Sequence, residues 1–262
     1  MRKTVCVITA FFLCLWVPFA VSASAVSAEV SAQAAVLLDM RSGRVYYEKN
    51  ADERLSMAST TKMVSALVVL ESGMDLDEEF TVDENAILVE GTSMGLQKGD
   101  RATLRTLCYG MLLASGNDAA NAAAVRVGKT IKGFCTLMNE KAEQLGLTQT
   151  HFATPSGLDD EEHYTTAREL GKIAQYAMKN ETFREICGQM SATVSYGNPP
   201  YRRTLYNHNR LLRAYAGTIG IKTGFTKKSG RCLVSAAQRS GVELICVTLN
   251  APNDWNDHKR LY

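Results

Sequence analysis

The sequence predicts a mixed α/β (α+β) fold, in which an antiparallel sheet formed by strands from both ends of the chain is flanked by helices and lies beside an all-helical lobe. Short β-prone segments occur early and late, whereas the middle of the chain has helical periodicity. The segment after Thr61 is apolar on nearly every face, and such a helix belongs inside a protein. The 262 residues, 46% hydrophobic and 21% charged, are ample for one core. We therefore expect one mixed sheet that is closed by the two chain ends.

The first 25 residues differ in kind from the rest. Two basic residues, Arg2 and Lys3, precede an apolar run over residues 5–21, and small residues that offer small-x-small cleavage sites follow it. This pattern is typical of a secretory signal peptide, with an uncleaved membrane anchor as the alternative. We therefore expect a signal peptide over 1–25, a single catalytic domain over 26–262, and export to the cell-wall or periplasmic side of the cytoplasmic membrane.

Charge and cysteine usage exclude several classes of protein. Removal of the leader takes two of 29 basic residues and none of 27 acidic ones, so no net charge favours nucleic acid or an anionic membrane. Five cysteines remain, an odd number without C-x-x-C pairs, which indicates buried small hydrophobes rather than disulfides or a zinc ribbon. The four histidines lack metal-binding spacing, so we expect them in loops or on the surface, and we expect no metal or cofactor.

Apolar spacing and glycine or proline breakers define the elements in chain order. A hairpin with a turn at 41–43 opens the mature chain, and the central helix ends near Gly73. The predicted strands are 34–40, 44–48, 218–226, 231–238 and 242–249, and the predicted helices after the central one are 103–113, 119–127, 131–145, 165–179, 182–190 and one beginning at 253. Residues 151–164 have no periodicity and are predicted to form a loop.

Ser59 and Lys62 lie at the start of the central apolar segment. Their i,i+3 spacing places both side chains on one face of a helix, one turn apart. A hydroxyl and an amine at the wet end of a buried helix are a candidate nucleophile and base, and the helix N-terminus favours an oxyanion there. The lysine can accept a proton only if burial or a second cation lowers its pKa from about 10.4.

Two further motifs follow in the chain. Ser115-Gly116-Asn117 lies at a bend between two helical segments, and Lys222-Thr223-Gly224 lies on the first of the three late strands. Gly224 leaves room for a backbone to approach an extended ligand. A second lysine here would also help to lower the pKa of Lys62. The similar Lys228-Ser229-Gly230 lies in the predicted turn after this strand and is interpreted as a hairpin loop.

The three motifs S-x-x-K, S-x-N and K-T-G, in this order, resemble those of penicillin-binding proteins and class A β-lactamases. Over roughly residues 32–262 the sequence is most similar to the serine D-Ala-D-Ala carboxypeptidases, the low-molecular-mass penicillin-binding proteins. The similarity includes Met94-Gly95-Leu96, the stretches 112–120 and 155–159, and the stretches 163–167 and 220–226. It implies a β-lactamase/transpeptidase-like fold and hydrolysis of peptidoglycan stem peptides that end in D-Ala-D-Ala, with β-lactam antibiotics as inhibitors.

The resemblance also implies roles for the catalytic residues. Ser59 would attack the carbonyl between the two D-alanines and form an acyl-enzyme, and Lys62 would take its proton. Ser115 would relay a proton to the leaving amine. Asn117 would orient Lys62 and the substrate amide.

The substrate-binding residues are implied in the same way. Lys222 and Thr223 would bind the terminal carboxylate of the substrate. The backbone N–H groups of Ser59 and Phe225 would form the oxyanion hole. Many members of the family carry a second, all-β domain and a C-terminal anchor helix, which this sequence lacks, so we expect no clear membrane anchor after signal cleavage.

Alternative interpretations remain open at this point. A class A-like β-lactamase needs a loop glutamate for deacylation, and Glu161 and Glu162 lie in the right loop without an E-x-x-L-N context. A non-catalytic penicillin-binding sensor module is the second alternative. Residues 91–95 match G-x-S-x-G around Ser93 but lack the strand and helix of a nucleophile elbow. Four arginines lie before the strand that carries Lys222, at positions 202, 203, 210 and 213. They could attract anionic wall polymers, or they could simply form a solvated basic face.

Overall fold

A computed structural model describes residues 29–262 of the chain. The predicted signal peptide therefore lies outside the described residues. Five antiparallel strands form the main sheet in the order β2-β1-β9-β8-β7. Their bounds are β1 Ala34–Asp39, β2 Val45–Lys49, β7 Thr218–Thr226, β8 Gly230–Arg239 and β9 Val242–Leu249. The first and last strands pair with each other, with Val36 opposite Val247, so the predicted closure of the sheet by both chain ends is confirmed.

Eight α-helices in the described range surround this sheet and build the helical lobe. They are α1 Lys62–Leu70, α2 Leu104–Leu112, α3 Asn117–Gly128, α4 Ile131–Gln144, α5 Ala167–Ala177, α6 Glu181–Gly188, α7 Leu211–Ala214 and α8 Asp254–Leu261. Threonine or asparagine side chains at Thr103, Thr130, Thr166 and Asn180 accept a backbone N–H and cap four of them. The predicted mixed fold class is confirmed.

The central helix α1 is the axis of the core. Eight of its nine residues are buried, as an all-round apolar sequence requires. It contacts helices α2 to α6, and the main core cluster extends from its Leu67 to Val36 and Val247 in the sheet. This packing places the start of α1 at the junction between the helical lobe and the edge strand β7.

Two small two-stranded sheets were not predicted. Strands β3 Phe80–Thr81 and β4 Arg101–Ala102 pair with each other, and β5 Ser191–Gly197 pairs with β6 Pro200–Tyr206. The second pair presents mostly exposed or half-buried residues, with Tyr196 and Leu205 buried beneath it. With so few buried side chains, the strands carry no strong apolar alternation.

The histidine prediction is wrong for His258. This residue lies on α8 and is fully buried, with its ring nitrogens 2.7 Å from Ser235 Oγ and 3.0 Å from Thr248 Oγ1. Two hydroxyl partners satisfy both ring nitrogens, which allows the residue to be buried. His163 lies in the predicted loop but is also buried.

The five cysteines in the described part of the chain are free and buried, as predicted. Between residues 29 and 262, no helix combines the length and the apolar character that crossing a membrane requires.

Candidate active site

Ser59 lies in a 3₁₀ turn, Ala58–Thr61, immediately before α1, rather than in the α-helix itself. Ala58 has φ +48°, which is an uncommon conformation for a residue with a side chain. The Thr61 hydroxyl donates to the Ala58 carbonyl at 2.7 Å, and the Thr60 hydroxyl donates to the Met57 carbonyl at 2.6 Å. These side-chain bonds hold the turn that presents Ser59 to the cleft.

The loop over residues 151–164 supports this turn from below. His163 Nδ1 accepts the Ala153 backbone N–H at 3.0 Å, so its Nε2 carries the proton and donates to Thr61 Oγ1 at 2.7 Å. Burial lowers the pKa of His163 to about 4, so the ring is neutral at physiological pH. Gly157, at φ +83°, lies so close that a Cβ would stand 2.0 Å from the Ala58 carbonyl oxygen. Glycine is therefore required there.

Lys62 is fully buried and has three oxygen neighbours. Its Nζ lies 2.9 Å from Ser59 Oγ, 2.7 Å from Asn117 Oδ1 and 2.6 Å from the Ser156 carbonyl oxygen. The amide and carbonyl oxygens can only accept, whereas the serine hydroxyl can accept or donate. A neutral Lys62 amine can donate its two protons to the Asn117 and Ser156 oxygens and keep its lone pair for the Ser59 proton. The geometry is thus compatible with Lys62 as a base.

The surroundings of Lys62 favour its neutral form. Burial away from water is the main cause that lowers its pKa well below the ordinary value, and the nearby positive charge of Lys222 lowers it further. The carboxylate of Asp118 acts in the opposite direction. A central apolar helix and a second lysine are the two causes that the sequence indicated.

Ser115 and Asn117 are placed by the bend between α2 and α3. Ser115 is buried at φ +59°, a left-handed conformation that costs about 1–3 kcal/mol in a residue other than glycine. Asn117 opens α3; its Oδ1 accepts from Lys62, and its Nδ2 donates to the Glu90 carbonyl at 2.6 Å. A Cβ at Gly91 would stand 2.7 Å from that Nδ2, so the neighbouring loop can approach only because it carries glycine.

Lys222 lies on β7 with 1% of its surface exposed. Its Nζ donates to Ser115 Oγ at 3.0 Å and to the Thr223 carbonyl at 2.9 Å. Burial lowers the pKa of Lys222 to about 7. Gly224 lies against the nucleophile turn, where a Cβ would stand 3.1 Å from the Ser59 backbone nitrogen. The edge strand and the 3₁₀ turn therefore meet at van der Waals distance.

Sequence reasoning missed Asp118, which has 2% of its surface exposed beside Asn117. Its carboxylate accepts the Ser93 hydroxyl at 2.7 Å and the backbone N–H groups of Met94, Gly95 and Leu96 at 2.9 to 3.0 Å. The loop that lines one wall of the cleft is thus fixed on one side chain. No sequence signal distinguishes this aspartate from an ordinary acidic residue in the first turn of a helix.

An open cleft of about 380 Å³ joins these elements. Of the residues predicted from the sequence, Ser59, Ser115, Asn117, Thr223, Gly224 and Phe225 line it. Lys62 and Lys222 contact that lining through Ser59 and Ser115. The Phe225 side chain is 66% exposed at the rim. Arg210, one of the four arginines noted in the sequence, also lines the cleft, together with His208, Arg231 and Trp255, which the sequence did not indicate.

The sequence features that suggested alternative interpretations lie outside the cleft or have other roles. Ser93 is in an irregular loop, and its hydroxyl donates to Asp118, so the G-x-S-x-G stretch is not a strand-to-helix elbow. Ser229 occupies the predicted hairpin turn between β7 and β8. Glu161 and Glu162 are exposed in their loop and do not line the cleft.

Comparison with known proteins gives a consistent result. Residues 20–253 match the peptidase S11 family model, described as D-alanyl-D-alanine carboxypeptidase. The chain is 33% identical over 224 residues to D-alanyl-D-alanine carboxypeptidase DacF of Bacillus subtilis, covering 84% of this chain and 57% of that one. It is 38% identical over 222 residues to the D-alanyl-D-alanine carboxypeptidase of Streptomyces strain K15, covering 79% of this chain and 76% of the relative.

Solved structures agree with the sequence matches. The crystal structure of the Streptomyces K15 DD-transpeptidase superposes with a TM-score of 0.85 at 34% identity, covering 89% of this chain and 96% of that one. This chain thus spans little more than half of the Bacillus relative and almost all of the Streptomyces structure.

Proposed function

The chain belongs to the peptidase S11 family of serine D-alanyl-D-alanine carboxypeptidases, and on this basis we propose that it removes the terminal D-alanine from peptidoglycan stem peptides through an acyl-enzyme on Ser59. The observation that carries the proposal is the set of three oxygen neighbours around Lys62 Nζ, one of which is the Ser59 hydroxyl. That set leaves a neutral lysine one open position, directed at the serine proton.

In the acylation step, Ser59 Oγ attacks the carbonyl between the two D-alanines while Lys62 takes its proton. The negative charge on the carbonyl oxygen is stabilised by the backbone N–H groups of Ser59 and Phe225. The approach of Gly224, the residue before Phe225, to the Ser59 nitrogen supports this pairing. The C–N bond then breaks, and Ser115 relays a proton to the leaving amine. Asn117 holds Lys62 through its Oδ1, as the hydrogen bond at 2.7 Å supports.

Lys222 and Thr223 bind the terminal carboxylate of the substrate. Protonated Lys222 already donates to Ser115. Burial deprives its charge of stabilisation by water, and a carboxylate in the cleft would supply a charge-assisted hydrogen bond instead. In the second step, water attacks the ester on Ser59, and release of the shortened peptide restores the serine. The proton that Lys62 takes from Ser59 is passed through Ser115 to the amine and leaves with D-alanine, so Lys62 is neutral again when water attacks. In the second step Lys62 takes a proton from water and returns it to Ser59.

β-Lactams would occupy the same groups and acylate Ser59. A β-lactamase escapes the resulting ester with a general base that activates the deacylating water. The loop glutamates, which would be the candidates for that base, do not line this cleft. We therefore favour slow release of penicillin over the class A-like β-lactamase alternative. The sensor alternative is disfavoured because each of the two lysines is hydrogen-bonded to a serine that lines the cleft.

The proposed place of action is outside the cytoplasmic membrane. Residues 1–25 have the sequence of a signal peptide, and the substrate is part of the cell wall. Fractionation of expressing cells tests this point. Activity that is confined to the cytosol would contradict export.

One experiment tests the proposed chemistry. The protein is incubated with penicillin, digested and analysed by mass spectrometry, and release of D-alanine from a D-Ala-D-Ala peptide is assayed in parallel. We expect the adduct on the peptide that contains Ser59, its loss in Ser59→Ala, and its persistence in Ser229→Ala as the matched serine control. An adduct that remains in Ser59→Ala would refute the assignment. Rapid penicillin turnover without D-alanine release would support the β-lactamase alternative.

A further inference from the structure

One stretch of the chain is uniformly basic. Residues 186–242 contain nine lysine and arginine residues and no aspartate or glutamate. This stretch supplies α7, the edge strand β7 and the whole β5–β6 hairpin. Arg231 of this stretch is paired with Asp254 at one end of the cleft, whereas the other charged side chains that the stretch contributes are positive. A ligand with negative charge is therefore attracted to the part of the wall away from Asp254.

A second groove of about 380 Å³ adjoins the cleft on this wall. It is lined by Met190 just before β5, Tyr206 at the end of β6, Asn207, Asn209 and Arg210 in the following segment, and Leu212 and Arg213 of α7. Arg210 lines both the groove and the catalytic cleft. The two spaces thus adjoin each other at Arg210. We call the second space the basic groove.

The basic groove holds cationic and amide donors without partners. Neither Arg210 nor Arg213 forms a salt bridge or a side-chain hydrogen bond with the residues at 29–262, and both are exposed. Asn209 has 2% of its surface exposed; its Oδ1 accepts from the Leu211 N–H, whereas its buried Nδ2 has no partner within the described part of the chain. A buried donor that is left unpaired costs about 1–3 kcal/mol, so a group that accepts from it is favoured there.

The basic groove lies on the leaving-group side of the cleft. Asn207 of the groove donates to the Cys187 carbonyl at 3.0 Å, and Cys187 lies against Gly220, two positions before the proposed carboxylate-binding residue Lys222 on β7. The groove therefore lies towards the Lys222 end of the cleft. Arg231 and Trp255 mark the opposite end, since Arg231 pairs with Phe225 at the far end of β7. A substrate that extends beyond its leaving residue is therefore directed into the groove.

We infer that the basic groove binds a second carboxylate on the leaving side of the substrate, so that peptides whose leaving residue is itself acidic are preferred substrates. The inference rests on the proposed function. The reaction is unchanged: the acyl bond to Ser59 forms, the bond from D-Ala to the leaving nitrogen breaks, the departing amine takes the proton, and water hydrolyses the ester. Arg210 and Arg213 add charge-assisted hydrogen bonds to the extra carboxylate, and Asn209 also lines the groove.

Three peptides that differ only in the leaving residue test the inference. They share one acylated donor sequence ending in D-Ala, followed by D-Ala, D-Glu or D-Gln; D-Glu and D-Gln have the same shape, and only D-Glu adds a charge. We expect wild-type kcat/KM to be about 5-fold higher for D-Glu than for D-Gln, mainly through KM, as a partly exposed ion pair provides. In Arg213→Gln this ratio should fall towards one.

Arg202→Gln is the matched control, because Arg202 is an exposed arginine of the same basic stretch that does not line the groove. It should keep the wild-type ratio, and thermal unfolding of both variants checks that they fold. The inference is overturned if the D-Glu to D-Gln ratio is unchanged in Arg213→Gln, or if it drops equally in Arg202→Gln. As long as D-Ala is released from the D-Ala-D-Ala peptide, these outcomes leave the proposed function intact. Competition by inorganic polyphosphate that Arg213→Gln abolishes, without any D-Glu preference, would assign the groove to a phosphate polymer and also overturn it. Failure to cleave the D-Ala-D-Ala peptide would refute the proposed function itself.

Discussion

Lys222 donates to the Ser115 hydroxyl at 3.0 Å, while Lys62 lies 2.9 Å from the Ser59 hydroxyl. Each lysine thus has its own serine; both lysines and Ser115 are buried, and Ser59 is half-buried at the cleft. Burial lowers the pKa of both amines, and the positive charge of Lys222 lowers the pKa of Lys62 further. Two lysines in one pocket can therefore divide the work, one as a base and one as a cation.

Replacing each lysine by arginine separates these roles. Lys62→Arg keeps the charge but supplies no neutral nitrogen, so acylation by penicillin should fall by about 10²–10⁴-fold. Lys222→Arg keeps a cation that binds carboxylates and should lose less. Stopped-flow acylation rates and D-alanine release measure both variants. Equal losses would mean that the two roles are not divided in this way.

The pH dependence of peptide cleavage should reflect the charge on Lys222. Its pKa of about 7 in the free enzyme means that the cation is lost as the pH rises through this value. Binding of a carboxylate should weaken in parallel, so kcat/KM for a D-Ala-D-Ala peptide should fall above about pH 7. The C-terminal amide of the same peptide needs no cation and should lack this alkaline limb. The same limb for both peptides would contradict the assignment.

Asp118 should act as a positioning residue for the cleft wall. Asp118→Asn replaces one acceptor oxygen by an NH₂ group that faces the donors of the loop at 93–96, so kcat/KM should fall by about 10²-fold. The carboxylate also raises the pKa of Lys62, so its loss should shift the acid limb of the pH profile to lower pH.

The matched control is Asp100→Asn. Asp100 is also buried and accepts the Gln97 N–H at 2.9 Å in the same loop, but it is not among the groups that shift the pKa of Lys62. It should lower activity without moving the acid limb. Asp118 would have a purely structural role if the acid limb of the pH profile also shifted in the control, or if it did not shift in Asp118→Asn.

His258 should make the fold sensitive to acid. Burial lowers its pKa to about 3, whereas in the unfolded chain it is about 6.5. Between these two pH values, unfolding is accompanied by protonation of His258. The protein is therefore most stable with respect to this group above pH 6.5, and it loses stability as the pH falls towards 3. The free energy of unfolding should decrease by up to about 1.4 kcal/mol per pH unit for this group.

Urea unfolding between pH 6.5 and 4.5 measures this effect while most carboxylates stay ionised. His258→Gln removes the titrating ring and should flatten the slope, although His163 adds a slope of the same sign in both proteins. A slope that is the same in the variant and in the wild type would show that the proton is taken up elsewhere.

Sequence patterns predicted the parts of the site that depend on local spacing. The i,i+3 pair of Ser59 and Lys62, the bend at Ser115 and the strand that carries Lys222 each lie within one element, where periodicity and turn residues are informative. The long apolar helix and the late strands were predicted for the same reason. Their bounds in the structure differ by a few residues at most, apart from the 3₁₀ turn that replaces the first turn of the central helix.

Features that depend on distant contacts could not be predicted. Asp118 is important because of three backbone N–H groups that precede it by 22 to 24 residues, and nothing in its own neighbourhood indicates them. The β5–β6 hairpin buries so few side chains that its strands resemble a polar loop. His258 looks like a surface residue of a polar helix, and only the hydroxyls of Ser235 and Thr248 explain its burial.

The pairing of the first strand with the last one has a consequence for the order in which the protein becomes active. All residues of the proposed chemistry precede position 226, but β7 joins the sheet through β8 and β9, and β9 pairs with β1 more than 200 positions earlier. Closing so long a loop is entropically costly and makes folding slow. A growing chain that already contains every reactive group therefore lacks the support that holds Lys222 against Ser115. Catalytic competence should arise in a single late event, when the final strand closes the sheet.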